Sequence, residues 1–417
     1  MNFYRIYKVL IYIFIFTFFC NYIVFADDEE FEKSDNVSSF INTSSDIITE
    51  PTINSRAAIV YDRNSGTILF GKNENEKRKM ASTTKIMTAI VVIENSNLDD
   101  IVTISSKAAG TGGSRLGLHT NDKISVRDLV YGLMLCSGND AAVALAEYVG
   151  NNISGFADLM NKKCTELNLS STNFVTPHGL DNEEHYTTAY ELAVITNYAL
   201  KNNTFRNFVS TKNYTITINN HPKNLSNTNE LLGNLDGVYG VKTGFTNGAN
   251  RCLVTSIKRN NLDLICIVLG ADTKKDRTKD SIELIEYAFN NFEPVNIKEK
   301  IQTEFNNWKL CNLSNLKIEK GISNNIEISL EDLSYDFLPI NSNHINDISI
   351  YIYCDTKLKA PLPSNSIIGY LTVSVNSKNI ITLNIKNTST IDKKNSLDFL
   401  NDIFSSYIYH LESIFFQ

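Results

Sequence analysis

The stretch Met80-Ala-Ser-Thr-Thr-Lys-Ile-Met puts a lysine, Lys85, three residues behind a serine, Ser82, at the head of an apolar run. On a helix such residues are neighbours. A serine hydroxyl is a weak nucleophile until a base takes its proton. A neutral lysine amine is such a base, but at an ordinary pKa of ~10.4 only about one lysine in two thousand is neutral at pH 7. Burial, or a second cation nearby, must therefore lower that pKa. A helix start would add the positive end of the helix dipole and a backbone N–H able to stabilise an oxyanion. The plain alternative is a capping serine followed by a solvated lysine, and the spacing alone does not separate the two.

Two further segments carry compatible chemistry. Ser137-Gly138-Asn139 interrupts a helical pattern over 125–149; its hydroxyl and amide could relay a proton and bind a substrate amide, or simply make a turn. Lys242-Thr243-Gly244, followed by Phe245, lies in a strand pattern. Lys242 could be the second cation and Thr243 could bond a substrate carboxylate. Gly244 would let a substrate backbone approach the strand edge.

In the order S-x-x-K, S-x-N, K-T-G, the three are far more specific than any one of them. With AAIVYDRNSGTILFGKN, GGSRLGL at 112–118, TPHGLDNEEHYTTAYELA and GVKTGFTNGANRCLVTS, the chain resembles the serine-type D-alanyl-D-alanine carboxypeptidases, low-molecular-mass penicillin-binding proteins related to the serine β-lactamases. The resemblance covers about residues 55–390. It implies Ser82 as acyl-forming nucleophile, Lys85 as base, and Ser137, Asn139 and Lys242 as catalytic neighbours. Lys242, Thr243, Gly244, Phe245 and Arg277 would bind substrate. The N–H groups of Ser82 and Phe245 would form the oxyanion hole, Arg277 would help hold the terminal carboxylate, and His178 would be structural. No metal or cofactor is implied. The partners implied are a peptidoglycan stem peptide ending in D-Ala-D-Ala and β-lactam antibiotics.

Two other functions compete. A β-lactamase would need a deacylating glutamate; Glu183 and Glu184 are present, but outside a Glu-x-x-Leu-Asn setting. A catalytically inactive cell-wall-binding protein would not need an intact serine and two lysines. A metal hydrolase finds little support in six histidines without H-E-x-x-H, and GTGGS at 110–114 lacks the lysine of a phosphate loop.

Around these motifs the chain has 417 residues, 42% hydrophobic and 20% charged, with a net charge of −7. It can bury a core, and its acidic balance argues against a nucleic-acid partner. Residues 1–26 read as a signal peptide: Arg5 and Lys8, an apolar run, then Val24 and Ala26 before DDEE. An uncleaved anchor is the rival, although a helix over 11–26 would span only ~24 Å of a ~30 Å hydrocarbon core. Either way the body lies outside the cytoplasm, at the outer face of the membrane or in the cell wall.

Residues 27–51 read as a flexible acidic tether. The expected fold is α+β. A mixed sheet with a helical cluster, the β-lactamase/transpeptidase-like catalytic domain, covers 52–293. A small all-β domain follows at 294–391, then an amphipathic tail helix at 392–417 that could rest on a membrane surface or pack on the β domain. The six cysteines beyond Cys20 form no C-x-x-C pair and read as unpaired buried thiols.

Overall fold

The computed structural model describes Val37, residues 49–323 and residues 325–415. The expected signal peptide and nearly all of the expected tether lie outside the described residues. The chain packs as two compact units, one built mainly from residues before Phe289 and one from Phe289 onward.

The first unit is organised on a five-stranded sheet. Its strands are β1 (Ala57–Asp62), β2 (Ile68–Lys72), β7 (Val238–Thr246), β8 (Asn250–Arg259) and β9 (Leu262–Ala271), in the order β2-β1-β9-β8-β7. Both ends of the unit therefore supply strands. The expected mixed character is not seen where register is given: β1–β2, β1–β9 and β7–β8 all pair antiparallel, and the consecutive pairs β1–β2 and β7–β8 are joined by short turns that only antiparallel strands allow. β8 and β9 are joined by Asn260-Asn261, both at positive φ, which suits a two-residue hairpin turn. LVTSI in β8 and LICIVLGA in β9 are buried without alternation, the pattern of strands covered on both faces.

The helix Lys85–Asn95 is buried from Lys85 through Val92. It is apolar on nearly all sides, as a central helix must be, and it packs against the helices Val126–Leu135, Asn139–Gly150 and Ala189–Lys201. Ser125 caps Val126–Leu135 by accepting from Asp128 N, as a serine at an N-cap does. A second, four-stranded sheet of short strands, β3 (Ile101–Thr103), β4 (Lys123–Ser125), β5 (Asn213–Ile218) and β6 (His221–Ser226), flanks the helices.

The second unit has its own core, including Leu371, Val373 and Ile385, on a four-stranded sheet. It is β-rich rather than all-β. Ile297–Asn312 is a helix capped by Asn296, burying Ile297, Ile301 and Phe305. That i, i+4, i+8 stripe is helical, and the alternating strands downstream masked it. The tail is a helix over Ser396–Phe415. Through residue 409 it leaves Leu397, Leu400, Phe404, Tyr407 and Ile408 exposed.

Asp280 ties the start of β1 to the helix Lys274–Asn291. Its carboxylate accepts from Ser55 N at 2.6 Å, Ser55 Oγ at 2.5 Å and Asn54 N at 3.1 Å. Asp280→Ala strands buried donors, and urea titration should show a loss of about 2–4 kcal/mol; an unchanged midpoint would mean that this anchor is dispensable.

Candidate active site

Ser82 sits in a short 3₁₀ turn, Ala81–Thr84, which runs directly into the helix beginning at Lys85. The α-helix thus begins at Lys85, and the serine stands one turn ahead of it. Ala81 has a positive φ of 49°, an uncommon conformation for a non-glycine residue. Two glycines let other segments close on this turn. A Cβ on Gly244 would lie 3.1 Å from Ser82 N and 3.2 Å from Thr83 N. The close approach at Gly244 is thus made first by the Ser82 turn. Gly179, at φ +85°, lies against the Ala81 carbonyl, where a Cβ would collide.

The helix break falls as expected: Ser137 (φ 60°) and Gly138 separate the helices Val126–Leu135 and Asn139–Gly150. Lys85 stands at the meeting point. Its side chain is fully buried. Nζ lies 2.7 Å from Ser82 Oγ, 2.7 Å from Asn139 Oδ1, 3.3 Å from Ser137 Oγ and 3.2 Å from the His178 carbonyl oxygen. Four residues from three separate segments thus converge on one nitrogen.

β7 forms one edge of its sheet and carries the third motif. Lys242 is buried, its Nζ 3.1 Å from the Thr243 carbonyl oxygen. The Thr243 hydroxyl lies 2.8 Å from that of Thr228. The Phe245 ring is covered by the Arg251 guanidinium at 3.9 Å. Arg277 is buried and donates from Nη2 to Glu230 Oε1 at 2.6 Å. The pairing with Glu230 was not foreseen.

Several positioning groups escaped the sequence reading. Asp140 accepts backbone N–H groups from Leu116 at 2.7 Å, Gly117 at 2.8 Å and Leu118 at 3.0 Å. Asn139 Nδ2 donates to the Gly112 carbonyl at 2.8 Å. Together they hold the GGSRLGL loop beside Ser137. Asp181 accepts from Thr246 Oγ1 at 2.7 Å and Gly248 N at 2.8 Å, linking the His178 loop to the end of β7. Asp140 follows the S-x-N motif directly, but nothing in the sequence indicates its partners. Thr228 and Glu230 lie in a stretch, SNTNELLG, that carries no pattern.

The constellation suits acyl transfer by serine. A family model described as D-alanyl-D-alanine carboxypeptidase matches residues 44–273. The chain belongs to the D-alanyl-D-alanine carboxypeptidase family. It is 33% identical to D-alanyl-D-alanine carboxypeptidase DacF of Bacillus subtilis, over 76% of this chain and 80% of that protein. It is 32% identical to DacA of Haemophilus influenzae, over 81% and 86%. Among solved structures it is similar to penicillin-binding protein 5 from Haemophilus influenzae, with a TM-score of 0.70 at 30% identity, covering 83% of this chain and all of that one. The Streptomyces K15 DD-transpeptidase matches at a TM-score of 0.56 and 36% identity, covering 58% of this chain and 99% of that one. The molecule is thus a serine-type D-alanyl-D-alanine carboxypeptidase, and its fold is the α+β fold of these enzymes with a C-terminal β domain.

Neighbouring ionisable groups are held neutral. Burial, with a contribution from Asp140 opposed by Lys242, pushes the Cys136 thiol up to about 11, so this carboxypeptidase carries no thiolate beside Ser137. All six cysteines among the described residues are free; four are buried, Cys136 is half-buried and Cys311 is exposed. Burial, then the charge of Lys85, lowers His178 to about 3. Burial lowers His185 to about 4 against the opposing pull of Asp181. The His185 ring accepts from Val175 N at 3.0 Å and meets Thr84 Oγ1 at 2.8 Å. Both histidines stay neutral in the fold where an unfolded chain, with a pKa of ~6.5, takes up protons. Stability is therefore full above about pH 6.5 and falls as pH drops, by up to about 1.4 kcal/mol per unit for each histidine. Chemical denaturation between pH 7 and pH 5 should show this slope, and His185→Gln should flatten it by roughly half; an equal slope in both proteins would assign the acid sensitivity elsewhere.

Proposed function

We propose that the carboxypeptidase removes the terminal D-alanine of peptidoglycan stem peptides through an acyl-enzyme on Ser82. The observation that carries this reading is the fully buried Lys85 amine 2.7 Å from Ser82 Oγ. In its neutral form Lys85 accepts the Ser82 proton while Oγ attacks the carbonyl of the penultimate D-alanine. The N–H groups of Ser82 and Phe245 bind the oxyanion; the packing of Gly244 on Ser82 N brings these two backbones together. The C–N bond then breaks, and the proton passes through Lys85 and Ser137 to the leaving amine. Water, deprotonated by the same base, hydrolyses the ester. Asn139 holds Lys85 and lines the acyl pocket. Burial and the Lys242 charge favour the neutral amine. Thr243 and Arg277 meet the terminal carboxylate. A β-lactam, which presents a similar acyl group and carboxylate, acylates Ser82 in the same way.

A β-lactamase reading gains nothing from the loop between the second and third motifs. Glu183 is 88% exposed and paired with Lys79 at 2.7 Å, so it is no buried base. For this chain we retain the domain limits 1–26, 27–51, 52–293, 294–391 and 392–417, with an extracytoplasmic location. Among the described residues no helix is long and apolar enough to cross a membrane. The apolar face that the tail helix leaves exposed through residue 409 supports interfacial membrane binding, driven by apolar burial because Asp398 and Asp402 lie on its polar face and only Lys393 and Lys394 precede it.

Two measurements test these assignments. Lys85→Arg keeps a cation that cannot act as base, so labelling of Ser82 by fluorescent penicillin should fall at least a hundredfold; a parental rate removes Lys85 from the mechanism. In liposome flotation the mature chain should rise with lipid and a chain lacking 396–417 should not. If both remain in the soluble fractions, the helix packs on protein instead.

A further inference from the structure

Arg277 is expected to meet the substrate's terminal carboxylate, yet the structure already gives its guanidinium a carboxylate. Glu230 Oε1 lies 2.6 Å from Nη2, with side-chain exposures of 10% for Glu230 and 1% for Arg277. Thr278 Oγ1 donates to the same oxygen. Burial would raise the Glu230 pKa, but the Arg277 charge and the bonds from Thr278 and Arg277 outweigh it and hold it below the usual carboxylate range. The acid is therefore ionised at neutral pH. Glu230 is also joined to the substrate wall through its own chain. Two residues earlier, the Thr228 hydroxyl lies 2.8 Å from that of Thr243, and Thr228 N donates to the Leu135 carbonyl just ahead of the S-x-N turn. One short segment thus backs both groups assigned to the anion.

We propose that Glu230 is a positioning residue that holds Arg277 at the anion site and, by offsetting its charge, sets how strongly the enzyme prefers a free C-terminal carboxylate. The proposal rests on the reading that Arg277 faces that carboxylate. A buried guanidinium without a counter-charge is costly, so the fold needs an acid there. The same acid repels the incoming substrate anion and keeps its binding moderate, which suits turnover, because binding that is equally strong in ground and transition states does not raise kcat.

The test compares kcat/KM for a D-Ala-D-Ala peptide with that for its C-terminal carboxamide. Glu230→Gln keeps the shape and an acceptor oxygen for Arg277 but removes the negative charge. The acid-to-amide ratio should rise about tenfold, mainly through a lower KM for the acid peptide. Glu230→Ala releases Arg277, and its ratio should fall toward that of Arg277→Ala. A purely structural role would lower both rates together and leave the ratio unchanged. A ratio within twofold of the parent, or lower, in Glu230→Gln overturns the proposal, and that variant carries the test if Glu230→Ala does not fold. If Arg277→Ala itself leaves the ratio unchanged, Arg277 does not meet the carboxylate and the proposal falls with that reading, whatever Glu230→Gln shows.

Discussion

Taking a lysine out of water costs several kcal/mol unless polar partners surround it. Lys85 is fully buried, and the first unit is arranged to supply those partners: Ser82 from a 3₁₀ turn, Ser137 and Asn139 from a helix break, and a carbonyl from the His178 loop. Asn139 and the His178 loop are also held by groups other than Lys85. Asp140 pins the loop that Asn139 reaches, and Asp181 ties the His178 loop to β7. The proposed base is therefore held in place before substrate arrives, an arrangement that avoids a reorganisation cost during reaction.

The same requirement explains where the chain carries glycine. Gly244 and Gly179 are the points where a strand and a loop press on the backbone of the Ser82 turn. A methyl group at Gly179 would collide with the Ala81 carbonyl, and one at Gly244 would crowd the amides of Ser82 and Thr83. The histidines nearby follow suit: kept neutral by burial, they add no competing charge next to Lys85.

The second unit depends on none of this. It closes its own core and ends in a helix whose apolar side chains through residue 409 face outward. That exposed face is what the proposed interfacial membrane binding rests on.

Much of the site was legible from sequence because catalysis demands particular residue types at short spacing: Ser82 with Lys85, Ser137 with Asn139, and Lys242-Thr243-Gly244 are each local signals. The helical pattern over 125–149 and the strand pattern around Lys242 were equally local. The helix Ile297–Asn312 had a local signal as well, although neighbouring alternation obscured it. The tertiary structure alone decided what depends on residues far apart in the chain. Examples are the Glu230 carboxylate against Arg277, Thr228 against Thr243, and Asp140 as an anchor for three amides. A buried polar group constrains only the geometry of its partner, and many residue types at many positions can meet that need. The pairing therefore leaves no periodic or spaced trace in the sequence and is settled only when folding brings the segments together.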